Sequence, residues 1–446
     1  MNALSQNNIF VVPVSDIVGK AGINLVYAPL ADSMAIADDA EVAQLLAAAD
    51  GVGDRSLLEP FSGGVPANQR DSKVNHVDEF LLMYVLPNYI CNFKCSYCFS
   101  AKGRYNKTLS KEHLKAALDY FVDRKRIDTD RLAISYLGGG EPTVSWDVVG
   151  YGLDYADRLA QSQGITMMTT IVTNGSLITD QIARTLKQHN VLVRVSFEII
   201  EEIQQKQRGK YADVCRGLDT LGRHGVRTMI RSMITPDNVR LLPVMVKAVH
   251  ERFPFVHEVL FDPITSSDTF HETEFTKRFH DDYRHNFMEA RHIGAELGID
   301  VANAPLRNLN MVVERFCTGE FCLTPEGTIT VCHQISSPLE KNYSDFIYAK
   351  VGDDGRMNID NSRFRDLAAS YTVHTSPKCD GCFIKWNCGG GCMMENIQYT
   401  DRIHDVICDS TRRLSLELLL ERLDAQYREA GLSLQQVIDS YGDDDA

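Results

Sequence analysis

An α/β protein built on a largely parallel sheet is the class this sequence predicts, and three observations predict it. Between about residue 80 and residue 265, short apolar runs rich in β-branched residues alternate with amphipathic helical stretches. The segments with unusual chemistry, a cysteine loop and a glycine run, come directly after apolar runs, where the strand-to-helix loops of a parallel sheet collect. From Cys317 to Cys408 the alternation gives way to a cysteine-rich stretch.

Residues 1–75 read as a small α+β region. Strands are expected at 9–14, 22–30 and 33–36, and a helix at 39–48 with Val42, Leu45 and Leu46 on one face. Residues 51–75, rich in Gly, Pro and polar residues, read as a linker. In the 80–265 core, strands are expected at 81–86, 132–137, 165–172, 191–197, 227–234 and 256–261. Ser110 caps a helix that aligns Leu114, Ala117, Leu118, Phe121 and Val122, and further helices fit at 146–161 and 180–189. Repeated β-α units of this length imply parallel strands with right-handed crossovers. Residues 266–316 read as an amphipathic helical bridge, 317–410 as a separate cysteine-rich unit and 411–446 as a helix plus acidic tail. In that helix Leu416, Leu419, Leu420 and Leu423 share a face expected to pack on the body, and residues 442–446 are expected to be disordered. No internal repeat is apparent.

With 446 residues, 44% hydrophobic and 24% charged, the chain is long enough for two or three ordinary globular domains. A net charge of −14 argues against nucleic acid as a partner, because phosphate binding needs a basic surface. No apolar run approaches the roughly 20 residues that span a bilayer, and the N-terminus is unlike a secretory signal. Twelve clustered cysteines suit metal ligation in a reducing cytoplasm better than a disulfide scaffold.

Cys91, Cys95 and Cys98 stand in the spacing C-x3-C-x2-C. Three thiolates from one tight loop can ligate three of the four irons of a 4Fe–4S cluster, which leaves one iron for another ligand. A zinc knuckle or unrelated buried thiols are the alternatives, although zinc motifs usually open with paired C-x2-C units. With an aromatic, Tyr97, before the last cysteine, the motif resembles that of the radical S-adenosylmethionine (radical SAM) enzymes. The resemblance implies a partial (β/α)6 barrel and a cluster that binds the amino and carboxylate groups of the cofactor's methionine part. It also implies reductive cleavage of the cofactor to a 5′-deoxyadenosyl radical that abstracts hydrogen from an unactivated C–H bond.

Gly138-Gly139-Gly140-Glu141-Pro142 follows the second expected strand. Glycines let a backbone approach a ligand, and a neighbouring carboxylate can accept from an ammonium group. In the family a motif like Gly139-Gly140-Glu141 holds the methionine amino group. The resemblance extends to Tyr97 near the adenine, to Asn174 in Thr173-Asn174-Gly175, to Ser196 near the methionine carboxylate and to Arg208 as its ion pair. Many relatives read Ser-x-Asp-Gly where this chain has Ser196-Phe197-Glu198-Ile199.

Cys317, Cys332, Cys379, Cys382, Cys388, Cys392 and Cys408 resemble, in succession, the SPASM domain of radical SAM enzymes that modify peptides and proteins, and Cys322 adds an eighth cysteine. By that resemblance Cys317, Cys322, Cys332 and Cys392 hold a first auxiliary 4Fe–4S cluster. Cys379, Cys382, Cys388 and Cys408 hold a second, giving three clusters in all. Whether Cys322 is a ligand stays open; two four-cysteine zinc sites are the alternative. Cys215 reads as a core residue and His333 as a neighbour of the ligands rather than one of them.

The function expected is a peptide maturase. It would take hydrogen from a ribosomally made precursor and close a thioether or carbon–carbon cross-link. The 1–75 region could add a leader peptide as an extra strand. An anaerobic sulfatase-maturing enzyme that makes formylglycine and a small-molecule radical SAM enzyme are alternatives. A non-enzymatic zinc-binding interaction protein is an alternative from a different class. Expected partners are a precursor peptide or protein and a flavodoxin- or ferredoxin-like electron donor, in the cytoplasm, with neither nucleic acid nor membrane. No catalytic acid or base is legible.

Overall fold

The computed structural model describes residues 2–64, 74–369 and 372–441. The expected tail at 442–446 and part of the expected linker, 65–73, lie outside the described residues. Strands β1 (Phe10–Pro13), β2 (Ile23–Ala28) and β3 (Ser33–Asp38) form an antiparallel three-stranded sheet in the order β1-β2-β3. The helix Asp39–Ala49 follows without a loop, because Asp38 and Glu41 close a capping box at its start. Its Leu45 and Ala48 are buried, and Leu45 packs with Val26, Ala28 and Ala37.

The body is one eleven-stranded sheet. It contains β4 (Leu82–Val85), β5 (Arg131–Tyr136), β6 (Thr166–Thr173), β7 (Leu192–Ser196), β8 (Thr228–Ile234), β9 (Glu258–Pro263) and β10 (Asp300–Ala302). The rest are β11 (Phe321–Leu323), β12 (Thr328–Thr330), β13 (Ile347–Val351) and β14 (Met357–Ile359). From β4 to β9 the strands are parallel and neighbours in sequence are neighbours in space. Every crossover therefore steps one place in the same direction, the winding of a partial barrel. Alternate residues point outward to the helices: Met83, Val85, Ile134, Tyr136, Ile171, Val193, Val195, Ile230, Val259 and Phe261 belong to one buried cluster. The other face carries Tyr84, Arg194, Ser196 and Arg231. Tyr84 and Arg194 lie three strands apart yet interact electrostatically, so the sheet curves and this face is concave.

Two expectations need correction. Residues 266–316 are not wholly helical: after the helix Thr273–Leu297 the chain turns at Gly298 (φ +72°) and β10 pairs in parallel with β9. Ile299 and Val301, apolar and β-branched, favour the strand, so the bridge is a further β-α-β unit followed by a short helix, Ala304–Asn308. The cysteine-rich stretch does not stand apart either. Its first strand, β11, pairs in parallel with β4, setting Cys322 beside Tyr84, and β12–β14 continue the sheet antiparallel.

The C-terminal helix begins earlier than expected, at Asp401, and runs to Glu429. It lies along the helix Thr273–Leu297 with ion pairs Arg284–Glu417 and, at 2.5 Å, Arg291–Glu421, and it buries Leu416, Leu419, Leu420 and Leu423. The chain then returns to the N-terminal sheet. Tyr441 Oη donates to Ile36 O at 2.9 Å, Ile36 N donates to Tyr427 Oη at 3.5 Å, and the Lys20 ammonium donates to the carbonyls of Ile438, Asp439 and Tyr441.

Phe321 of β11 is fully buried against Phe80, Tyr120 and Phe121, which fastens the cysteine-rich end of the sheet to the barrel. Replacing Phe321 by Ala is expected to cost about 3–5 kcal/mol, read as a lower urea midpoint than the parent chain shows.

Candidate active site

The cysteine loop leaves β4 and is anchored by Asn88, which is 1% exposed. Its side-chain amide donates to Glu141 O at 3.0 Å and to Ser145 Oγ at 2.9 Å, and its Oδ1 accepts from Ile90 N at 2.8 Å. Cys91, Cys95 and Cys98 are each partly buried. Burial pushes the Cys91 and Cys95 thiols up; the nearby guanidinium groups of Arg104 and Arg208 pull them back down. Arg104 reaches furthest: Nη2 donates to Cys98 Sγ at 2.9 Å and Nη1 to Phe93 O at 2.8 Å.

The glycine run after β5 is zipped to this loop. Gly140 N donates to Asn88 O at 3.0 Å and Glu141 N to Ile90 O at 2.8 Å. A Cβ on Gly140 would stand 2.1 Å from both Asn88 Oδ1 and Ile90 O, so only glycine fits; Gly139, at φ +79°, also needs to be glycine. The Glu141 carboxylate is 3% exposed and turned inward. Oε1 accepts from Thr143 N at 3.0 Å and from the hydroxyls of Thr143 and Thr173, each at 2.6 Å; Oε2 accepts from Asn174 N at 2.7 Å. The carboxylate thus braces the loop against the end of β6.

Asn174 is also engaged by protein. Its amide donates to Asn92 Oδ1 at 2.9 Å, inside the cysteine loop, and its Oδ1 accepts from Ser176 N at 3.0 Å. Ser196 ends β7 on the concave face, level with Arg231 of β8. Arg208 lies beside Tyr97 and Glu198: Nη1 donates to Tyr97 Oη at 2.9 Å and is 3.7 Å from Glu198 Oε1. Tyr97 Oη in turn donates to Glu198, and Ser232 Oγ donates to Glu198 Oε2 at 2.5 Å. Burial raises the Glu198 pKa and the Arg208 cation opposes that rise. Glu198 is therefore the acid where relatives carry Asp. Ile199, which follows it, has a left-handed backbone at φ +63°, a costly conformation for a β-branched residue.

The remaining ligand candidates form two groups. Cys317 interacts electrostatically with Cys392, Cys322 with Cys332, and Cys332 with Cys317 and Cys392. Cys388 and Cys408 each interact with Cys379 and Cys382. The glycines between Cys388 and Cys392 let the chain cross from one group to the other. Gly389, Gly390 and Gly391 have φ of +64°, +84° and +82°, and a Cβ on Gly389 would stand 2.3 Å from Phe316 N, next to Cys317. Cys215 is buried in the helix Tyr211–Arg223.

Several functional residues escaped the sequence. Glu320 faces the first group; its carboxylate accepts from His333 N and Nδ1, both at 2.7 Å, and the His333 ring packs against Tyr84 and Phe99. Arg412 and Lys378 flank the second group. Arg104 carries no motif spacing, and Asn88 precedes the cysteines as an ordinary turn residue. Glu198 had a signal: it stands two residues after Ser196, as the acid does in Ser-x-Asp-Gly.

These residues fit the groups that the resemblance implies. All-thiol donor sets suit iron–sulfur clusters. Arg208 Nε, buried without a hydrogen-bond partner, leaves a donor for a ligand beside the triad. Among the described residues no three His, Cys, Asp or Glu side chains are grouped as tightly as a single metal ion requires.

The Radical SAM superfamily model matches residues 85–241. The cysteine-type anaerobic sulfatase-maturating enzyme of Clostridium novyi (strain NT) is 24% identical over 332 residues, 68% of this chain and 84% of that protein. Native anSMEcpe with bound AdoMet and the Cp18Cys peptide superposes with a TM-score of 0.58 at 17% identity, over 78% of this chain and 99% of that one. Streptococcus suis SuiB bound to the precursor peptide SuiA gives 0.52 at 14% identity, over 85% and 94%. No helix among the described residues is long and apolar enough to cross a membrane.

Replacing Gly140 by Ala is expected to push the cysteine loop away from the glycine run, read as an iron and sulfide content below the parent value and as lost binding of S-adenosylmethionine in calorimetric titration. Residues 85–241 thus match the Radical SAM superfamily, in a fold shared with anSMEcpe and SuiB.

Proposed function

We propose that this chain is a radical SAM maturase acting on a ribosomally made peptide or protein. The observation that carries this reading is the sorting of eleven cysteines into one triad at the barrel rim and two groups of four beside it. Cys91, Cys95 and Cys98 would hold the reactive cluster. The cofactor would lie against Gly139, Gly140 and Tyr97, with Ser196 and Arg208 toward its carboxylate and Glu141 and Asn174 fixing the loops around it. Cys317, Cys322, Cys332 and Cys392 would hold one auxiliary cluster, and Cys379, Cys382, Cys388 and Cys408 the other. When bound, these groups supply a 5′-deoxyadenosyl radical and acceptors for the second electron that cross-link formation releases.

The chain's own residues do the rest. The rings of Tyr84 and Phe99 pack on either side of His333 beside the concave face. The Glu320 carboxylate fixes the His333 ring through Nδ1. The finer reading is closure of a thioether or carbon–carbon cross-link. Formylglycine formation is the second reading, favoured by the similarity to the Clostridium novyi enzyme over 68% of the chain. An external flavodoxin- or ferredoxin-like protein would deliver the first electron, in a reducing compartment such as the cytoplasm.

Residues 1–75 would receive a leader segment. The β3 edge at Ile36 is taken by Tyr427 and Tyr441, so an added strand would pair with β1. A cavity of about 460 Å³ lined by Asn8, Ile9, Ala28, Leu58 and Phe61 lies in the same unit. The sheet also belongs to the main core: Tyr27 Oη donates to Asn387 Oδ1 at 3.0 Å and Trp386 Nε1 to Asn8 Oδ1 at 2.8 Å. A point substitution is therefore a cleaner probe than a deletion.

Anaerobically purified protein is expected to carry about twelve irons and as many sulfides per chain. Replacing Cys91, Cys95 and Cys98 by Ala together should lower iron to about eight and stop formation of 5′-deoxyadenosine on reduction with S-adenosylmethionine. Two or three zincs and no sulfide would reverse the reading in favour of a zinc protein. Conversion of a sulfatase peptide, but of no precursor encoded nearby, would favour the second.

A further inference from the structure

We propose that Arg194, on the concave face of β7, is the docking point for a carboxylate of the substrate, a Glu or Asp side chain or a C-terminus. This rests on the reading that the substrate is a peptide or protein. Strand alternation fixes where the side chain points. Val193 and Val195 are fully buried on the helix side, so Arg194 between them faces the interior of the barrel. Its register neighbours are Val172 of β6 and Met229 of β8. Leu192, Met229, Leu260, Ala302 and Leu306 form an apolar cluster on the same side of the sheet. Two residues further along β7, Ser196 ends the strand at the proposed cofactor site.

Charge decides the argument. Two other arginines lie close, and each has a carboxylate: Arg231 Nε is 3.0 Å from Asp262 Oδ2, and Arg307 pairs with Glu258. Arg194 forms no ion pair among the described residues, and its Nε is buried without a hydrogen-bond partner. Burial, then the neighbouring Arg307 and Arg231, lower its pKa, and Glu258, already paired with Arg307, and Tyr84 oppose that drop only in part. An unpaired cation in such surroundings destabilises the fold, and a planar guanidinium offers the fork that a carboxylate fits. A matching anion carried by the substrate would enter from the rim, the side on which a substrate meets the cofactor.

The test uses the full, cluster-loaded chain. Because three arginines here share two carboxylates and Arg194 forms no ion pair among the described residues, Arg194→Gln is expected to raise Tm by roughly 2 °C; a lower Tm would mark the arginine as structural and overturn the proposal. A capped Gly-Glu-Gly peptide at millimolar concentration should raise the Tm of the parent chain but not that of Arg194→Gln, and Gly-Gln-Gly should raise neither. Equal shifts for both peptides, or none, would also overturn it. Titration with S-adenosylmethionine separates the two possible sources of a carboxylate. An unchanged affinity in Arg194→Gln supports the substrate, whereas a loss of about tenfold assigns the carboxylate to the cofactor and defeats the proposal. Formation of 5′-deoxyadenosine by the parent chain reads the maturase assignment separately, so either idea can fail alone.

Discussion

The inward-turned carboxylate of Glu141 is the contact around which the site is built. One side chain collects donors from its own loop, from Thr173 and from the backbone of Asn174, while its carbonyl takes the amide of Asn88. The ends of β4, β5 and β6 are thereby held at fixed separations. Hydrogen bonds donated to a buried carboxylate are stronger than neutral ones, and leaving any of these groups unpaired would cost the full desolvation of that group. The glycines beside it remove side chains where the loops touch. Cysteine geometry at the rim thus depends on a residue that touches none of the thiols.

The parallel core was legible because its strands are short, β-branched and bounded by turn residues, and each of the six expected strands overlaps an observed one. The triad and the glycine run were legible because their chemistry is local and their spacing short. Residues 299–302 were not: a three-residue strand following a 25-residue helix leaves almost no periodic signal, and only the free edge of β9 makes it a strand. Glu320, Arg104 and Arg194 were invisible for a different reason. Their roles come from what stands across the sheet or across the chain from them, and single-residue context holds no trace of that. Asn174 and Glu141 were read as facing a ligand; the structure turns both toward neighbouring loops, where their hydrogen-bonding capacity is largely used.

The continuity of the sheet explains how the two cysteine regions come together. Pairing β11 with β4 sets Cys322 two strands from the glycine run, and the Phe80, Tyr120, Phe121 and Phe321 aromatic cluster makes that pairing rigid. Across this joint the electrostatic settings differ. The first group of four is buried beside an acid, Glu320, and the second is flanked by Arg412 and Lys378. The triad sits between cations of its own, Arg104 and Arg208.

The clamp between Lys20, Ile36 and the last helix has a consequence for biosynthesis. The β1–β3 sheet, made before the barrel, has its edge completed by hydroxyl and carbonyl groups from residues 427–441. Until those residues emerge, β3 presents an unsatisfied strand edge, the kind of surface that captures other chains. Protection of the β1–β3 sheet therefore has to last until residues 427–441 have emerged, after the whole barrel between them.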